Sequence, residues 1–122
     1  MMSGKDSIIR TKSFKFAIRI VNLFKLLVSS HKEFVLSKQL LRSGTSIGAN
    51  VREAINAQST ADFIHKLSIS QKECDETLYW LELLKETDYI SETEFISLNN
   101  DATELLKIIR SIIITSKNKL NS

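Results

Sequence analysis

The sequence predicts an all-α protein: an up-down-up-down bundle of four helices, forming one domain over residues 1–122. Three observations carry that expectation. The 122 residues include no proline and three glycines, too thin a supply of turn residues for a set of hairpins. Apolar residues recur at helical spacing in four segments of roughly 20 residues each. Short connections join these segments, which favours antiparallel packing of consecutive helices. A composition of 43% hydrophobic and 25% charged residues is ordinary for a folded chain.

The first segment spans about residues 11–30. At ~100° per residue, Phe14, Ala17, Ile18, Val21, Phe24 and Val28 form one apolar arc. Phe16, Ile20, Leu23 and Leu27 form a second arc beside it. Together they cover more than half of the helix, and one core needs a stripe only a little over ~100° wide. The first arc is expected to face the bundle core. The second (Phe16, Ile20, Leu23, Leu27), with Ile113 of the fourth segment, is expected to meet another subunit. A deeply buried central helix is the plainer alternative.

The residues Ser29-Ser30-His31-Lys32-Glu33 supply the first turn. The second segment, about 35–57, carries Leu36, Leu40, Ile47, Val51 and Ala54 in helical register. The third, about 60–86, starts from Ser59 or Thr60 as N-cap, with Asp62 in the first turn to suit the helix dipole. Its core positions are Phe63, Leu67, Ser70, Cys74, Leu78, Leu81 and Leu84. The fourth, about 91–116, opens with the capping box Ser91-Glu92-Thr93-Glu94 and continues through Phe95, Leu98, Ala102, Leu105, Ile109 and Ile112.

Two of the three glycines, Gly44 and Gly48, lie inside the second segment, in "RSGTSIGAN". A phosphate loop requires G-x-x-x-x-G-K-[ST] after a strand. Here the spacing is one residue short, Ala49 follows Gly48, and no strand precedes. A true loop would leave two half-helices with too little apolar stripe each. The remaining reading is a continuous helix with a small-residue face. Two interior glycines cost ~1 kcal/mol each relative to alanine, which close approach of a neighbouring helix could offset.

The stretch "FVLSKQLLRSGTSIGANVREA", followed by "DFIHKLSISQKECDETLYWLELLKETDYIS", resembles the bacterial four-helix-bundle family that includes the 23S rRNA intervening-sequence proteins. The same family includes the accessory variability proteins of diversity-generating retroelements. The resemblance runs from about Phe14 to Lys117 and is most specific around Ser43–Glu53 and Tyr79-Trp80-Leu81. Many relatives carry proline where this chain has Gly48, and an acidic or small residue where it has Arg52. The resemblance implies a left-handed bundle that assembles with copies of itself into a ring, a homopentamer. For the retroelement members it also implies a basic surface that binds nucleic acid and a reverse transcriptase. It implies no enzymatic activity.

The charge distribution is compatible with an anionic partner. Residues 1–42 hold nine Lys/Arg against Asp6 and Glu33 alone, on a chain of net charge +3. Arg10, Lys12, Lys15 and Arg19 form the best basic stripe, with Lys5 in the leader. It reads either as a solvated helix face or as a contact for RNA or DNA phosphates. With no aromatic residue interleaved, it predicts no base readout.

Catalytic candidates are weak. Cys74 and His65 project from opposite sides of one helix and cannot pair as nucleophile and base. Two histidines and one cysteine make a transition-metal site in one protomer improbable, and no cofactor is expected. Glu73, Asp75, Glu76 and Glu82 read most simply as a solvated face, and Glu73 and Glu76 next as a helix or subunit contact. Of the adjacent Tyr79 and Trp80, one is expected in the core and the other at an interface. A lone cysteine and the lack of a signal-peptide pattern point to the cytoplasm. Arg19, Asn22 and Lys25 interrupt the longest apolar run, so no membrane span is expected. The expected function is a non-enzymatic accessory protein that contacts nucleic-acid backbones; the alternative is a scaffold that meets only proteins.

Overall fold

The computed structural model describes residues 4–121, with the side chain of Lys5 outside the described part. Four helices follow one another: α1 (Gly4–His31), α2 (Leu36–Ile55), α3 (Thr60–Glu86) and α4 (Glu92–Leu120). Each packs on its sequence neighbour, and α4 closes back on α1, so α1 and α3 occupy opposite corners of the bundle. One apolar core drawn from all four helices runs down the middle.

Two helices are longer than the sequence pattern suggests. α1 starts at Gly4 rather than near Thr11, because Ile9 inserts into the core and extends the helix toward the N-terminus. α4 runs on to Leu120, past the end expected near residue 116. The caps form where the sequence places them. Ser59 Oγ accepts from the Asp62 N–H at 3.1 Å, and Ser91 Oγ accepts from the Glu94 N–H at 3.1 Å. At the first turn Lys32 takes a left-handed conformation (φ 54°). Glu33 then caps α2, its Oε1 accepting from the Ser37 N–H at 2.7 Å.

Helix α2 passes unbroken through both glycines, which are buried against α1. A Cβ on Gly44 would lie 2.8 Å from Cγ1 and 2.9 Å from Cγ2 of Ile20. A Cβ on Gly48 would lie 3.3 Å from the Ser13 carbonyl oxygen. The small residues therefore let α1 approach α2 closely.

That approach decides how α1 is rotated, and it reverses the expected roles of the two apolar arcs. Phe16, Ile20, Leu23 and Leu27, expected at a subunit interface, are buried in the protomer's own core, as is Ile113 of α4. Phe14 and Ile18, expected in the core, are half exposed, while Ala17, Val21, Phe24 and Val28 are only partly covered. Both arcs are apolar and adjacent, so helical periodicity alone does not choose between them. Gly44 and Gly48 receive Ile20 and Ser13, and this contact turns the Phe16–Leu27 side inward.

Candidate nucleic-acid interface

α1 is the most basic element of the fold. Arg10, Lys12, Lys15, Arg19 and Lys25 all lie on it, and its one acidic residue, Asp6, is buried. The structure brings three of the four stripe candidates together. Lys12, Lys15 and Arg19 border a groove of about 270 Å³ between α1 and α4, floored by the buried Phe16 and Leu105. Arg10 does not join them. It precedes Lys12 by two residues, which puts it about 160° away around the helix.

The groove also carries acids. Lys12 Nζ lies 3.1 Å from Glu104 Oε1, and Arg19 Nη1 lies 2.6 Å from Asp101 Oδ2. Arg19 Nη2 donates a second hydrogen bond to Ser97 Oγ at 3.0 Å. These pairs are partly exposed, and each contributes at most about 1 kcal/mol. Their larger effect is on ligand binding, since a phosphate must compete with Asp101 and Glu104 for two of the cations. Lys15 forms no ion pair among the described residues. The two acids sit at i and i+3 on α4, about 80 to 90 residues along the chain from their partners. The α4 sequence contains no local signal that identifies those partners.

A second charged cluster holds α2 to α3. Arg42 Nη1 lies 3.2 Å from Glu73 Oε2, Arg42 Nη2 bonds Glu76, and the Trp80 indole N–H donates to Glu76 Oε1 at 3.4 Å. Two of the acids read from the sequence as a solvated face thus make a helix–helix contact. Trp80 is half buried against the core, and Tyr79 meets its ring edge-on at a centroid distance of 5.0 Å while staying exposed.

Two carboxyls are displaced downward. The hydrogen bond from Arg42 holds Glu76 below its ordinary 4.5, outweighing the opposing effect of burial. At Glu33, burial pushes the carboxyl up, but backbone N–H groups of Ser37, Leu36 and Val35 outweigh it and bring the value below 4.5. A folded pKa below the unfolded one gives stabilisation that is complete above the unfolded value and lost as pH falls through the folded value. The thermal midpoint is therefore expected to fall below about pH 4.5. Glu76→Gln should lower the neutral-pH midpoint and flatten part of that acid limb. A calorimetric series in which Glu76→Gln reproduces the wild-type acid limb would contradict this assignment.

Cys74 is inert. It is fully buried, its thiol donates to the Ala102 carbonyl at 3.1 Å, and desolvation, reinforced by Asp75, pushes its pKa up to about 12. His65 is exposed on the other side of α3. Among the described residues no group of three or more His, Cys, Asp and Glu side chains could hold a metal ion. No described helix is long and apolar enough to cross a membrane.

The sequence model of the 23S rRNA-intervening sequence proteins matches residues 5–111 of this chain. The chain is also similar to a crystal structure from Bacteroides thetaiotaomicron VPI-5482, a protein of unknown function from the S23 ribosomal protein family. The two are 61% identical with a TM-score of 0.89, over 89% of this chain and 97% of that one. No curated protein matches the chain.

Proposed function

The chain belongs to the 23S rRNA-intervening sequence protein family, and from that premise we propose that it is a non-enzymatic accessory protein that assembles with copies of itself and contacts nucleic-acid backbones along the α1–α4 edge. The observation that carries this reading is the grouping of Lys12, Lys15 and Arg19 along one groove of a helix whose only acid is buried. One such edge is a weak site. A ring, pentameric as the family resemblance implies, repeats it around an axis. Several modest phosphate contacts then add along one strand, giving salt-sensitive, sequence-tolerant binding. RNA and DNA both present the required phosphates.

The test is a titration of the full chain onto fluorescent RNA and duplex DNA across a salt series. The logarithm of the binding constant should fall linearly with log salt. Lys15→Glu should weaken binding and flatten the slope by about one unit for each phosphate that is no longer neutralised. Asp101→Asn with Glu104→Gln should tighten binding, because it frees Arg19 and Lys12 from their internal partners. The absence of binding even at about 50 mM salt, where such contacts are far stronger than at about 200 mM, would overturn the reading.

A second reading is a scaffold for proteins alone, a nucleic-acid-processing enzyme such as a reverse transcriptase among them. The specific observation in its favour is that Glu104 and Asp101 already engage two of the three grouped cations.

A further inference from the structure

Phosphate contacts along the α1–α4 seam involve its cations alone and leave its apolar residues without a role. α1 and α4 are the least closely packed of the four neighbouring helix pairs, and three hollows of about 270, 270 and 250 Å³ follow one another along their outer seam. The first lies between Ile8 and Ile108, the second over Phe16 and Leu105, and the third over Leu23 and Leu98 beside Leu26. Two rows of residues border the seam. On α1 the row is Ile8, Lys12, Lys15, Arg19, Asn22 and Leu26; on α4 it is Glu94, Ser97, Asp101, Glu104, Ile108 and Ser111. Spacings of four and three alternate in both rows, so each is a heptad stripe. The rows run antiparallel, with Lys12 against Glu104 and Arg19 against Asp101 and Ser97. At ~1.5 Å per residue the seam is about 27 Å long. Ile8 and Leu26, at its two ends, are half exposed, and Ile108 is partly covered. Lys15 and Lys107 are exposed in the Ile8 half and form no ion pair among the described residues, while Glu94 stands at the Leu26 end.

We propose that this seam is a helix-binding groove. Its occupant is an amphipathic helix of a partner protein, with acidic residues on the half that lies over Ile8 and Ile108. The period of the groove selects a helix. Two bordering heptad stripes match the side-chain repeat of a third helix, whose own a and d positions then fall over the hollows one after another. A nucleic-acid backbone answers the cations but gains nothing from covering Ile8, Ile108 and Leu26. The distribution of charge selects the sequence of the occupant. The two apolar ends take apolar anchors, and the middle, where Arg19 bridges to Asp101 and Ser97, takes polar side chains. Lys15 and Lys107 attract carboxylates to one half, and Glu94 repels them from the other. Such complementarity fixes register and direction. About 18 helical residues, five turns, span the seam. The proposal goes beyond the nucleic-acid reading and does not depend on it. Lys15 is common to both, so a bound helix and a phosphate compete there.

The probe is a fluorescent peptide of three heptads, titrated with the full chain and followed by anisotropy. It carries leucine at the a and d positions of its outer heptads and glutamine at those of the middle one. Glutamate fills the e and g positions of the first two heptads, glutamine those of the last, and alanine the remainder to favour helix. The peptide should bind saturably, and a version with lysine in place of glutamate should bind at least about tenfold more weakly. Lys15→Glu with Lys107→Glu should weaken the acidic peptide by a similar factor. Ile8→Ser with Leu26→Ser should weaken it about tenfold through lost apolar burial, while the salt slope for RNA stays unchanged because no charge is altered. Circular dichroism checks that each variant keeps its helices. A dissociation constant weaker than about 1 mM, or equal binding of the acidic and basic peptides, would overturn the proposal. So would a fall in the sedimenting mass of the free chain on Ile8→Ser with Leu26→Ser, which would assign the groove to a second copy. Peptide binding without RNA binding would uphold the groove and overturn the nucleic-acid reading alone.

Discussion

Phe16→Ala is expected to destabilise the protomer by about 3–5 kcal/mol, whereas Phe14→Ala, two residues away, should cost under about 1 kcal/mol. Phe16 is 2% exposed and sits in the core, so its removal forfeits the transfer free energy of the ring and leaves a cavity. Phe14 is 51% exposed, and within the protomer it loses chiefly its contact with the Arg52 guanidinium. A domain of this size has roughly 5–15 kcal/mol in total, so Phe16→Ala should remove a large share of it. Urea denaturation at fixed protein concentration measures both values, and the concentration must be held because any self-association would add to apparent stability. Equal losses at the two positions would contradict the rotation of α1 described above.

Gly44→Val is expected to destabilise by about 1–3 kcal/mol or more, even though valine is the better helix former. The obstacle is the base of the Ile20 side chain. A Cβ would come within 3.0 Å of both of its γ carbons, and Ile20 is fully buried. Gly44→Ala makes the smaller intrusion, and its gain in helix propensity, ~1 kcal/mol, offsets part of the strain. Gly48→Ala meets Ser13 at 3.3 Å and should fall between slightly favourable and slightly unfavourable. A double-mutant cycle between Gly44→Ala and Ile20→Ala isolates the contact. Removing the γ carbons should make Gly44→Ala less costly by about 0.5–3 kcal/mol, the range for residues in direct contact. Additive effects would mean that the two helices do not press together at this point.

How much of the protein is legible in one dimension follows from which interactions are local. Helix α3 has the limits that Ser59, Asp62 and the apolar period announce, because a cap and a 3.6-residue repeat are short-range features. The start of α1 is less legible, since Gly4–Arg10 is helical partly through the tertiary seat of Ile9. At the candidate site, the cations of α1 can be read directly. Their separation into Lys12, Lys15 and Arg19 on one side and Arg10 on another follows once the helix is known to include residue 10. The presence of Asp101 and Glu104 opposite Lys12 and Arg19 depends on how α4 closes against α1, which no spacing within either helix encodes.

The sequence by itself determined four amphipathic helices, their caps, the small-residue face at Gly44 and Gly48, and a basic first helix. Each depends on residues within a turn or two of one another, where backbone geometry sets which side chains share a face. Only the tertiary structure decided which of α1's two apolar arcs is core and which of its cations are already paired. Both arcs are apolar and satisfy the same period, so the helix itself holds no preference between them. The choice falls to the shape of its neighbours: the hollow that Gly44 and Gly48 leave on α2, filled by Ile20 and Ser13, sets the rotation. With α1 so turned, Lys12 and Arg19 face the carboxylates of α4, and Phe14 and Ile18 remain on the outside.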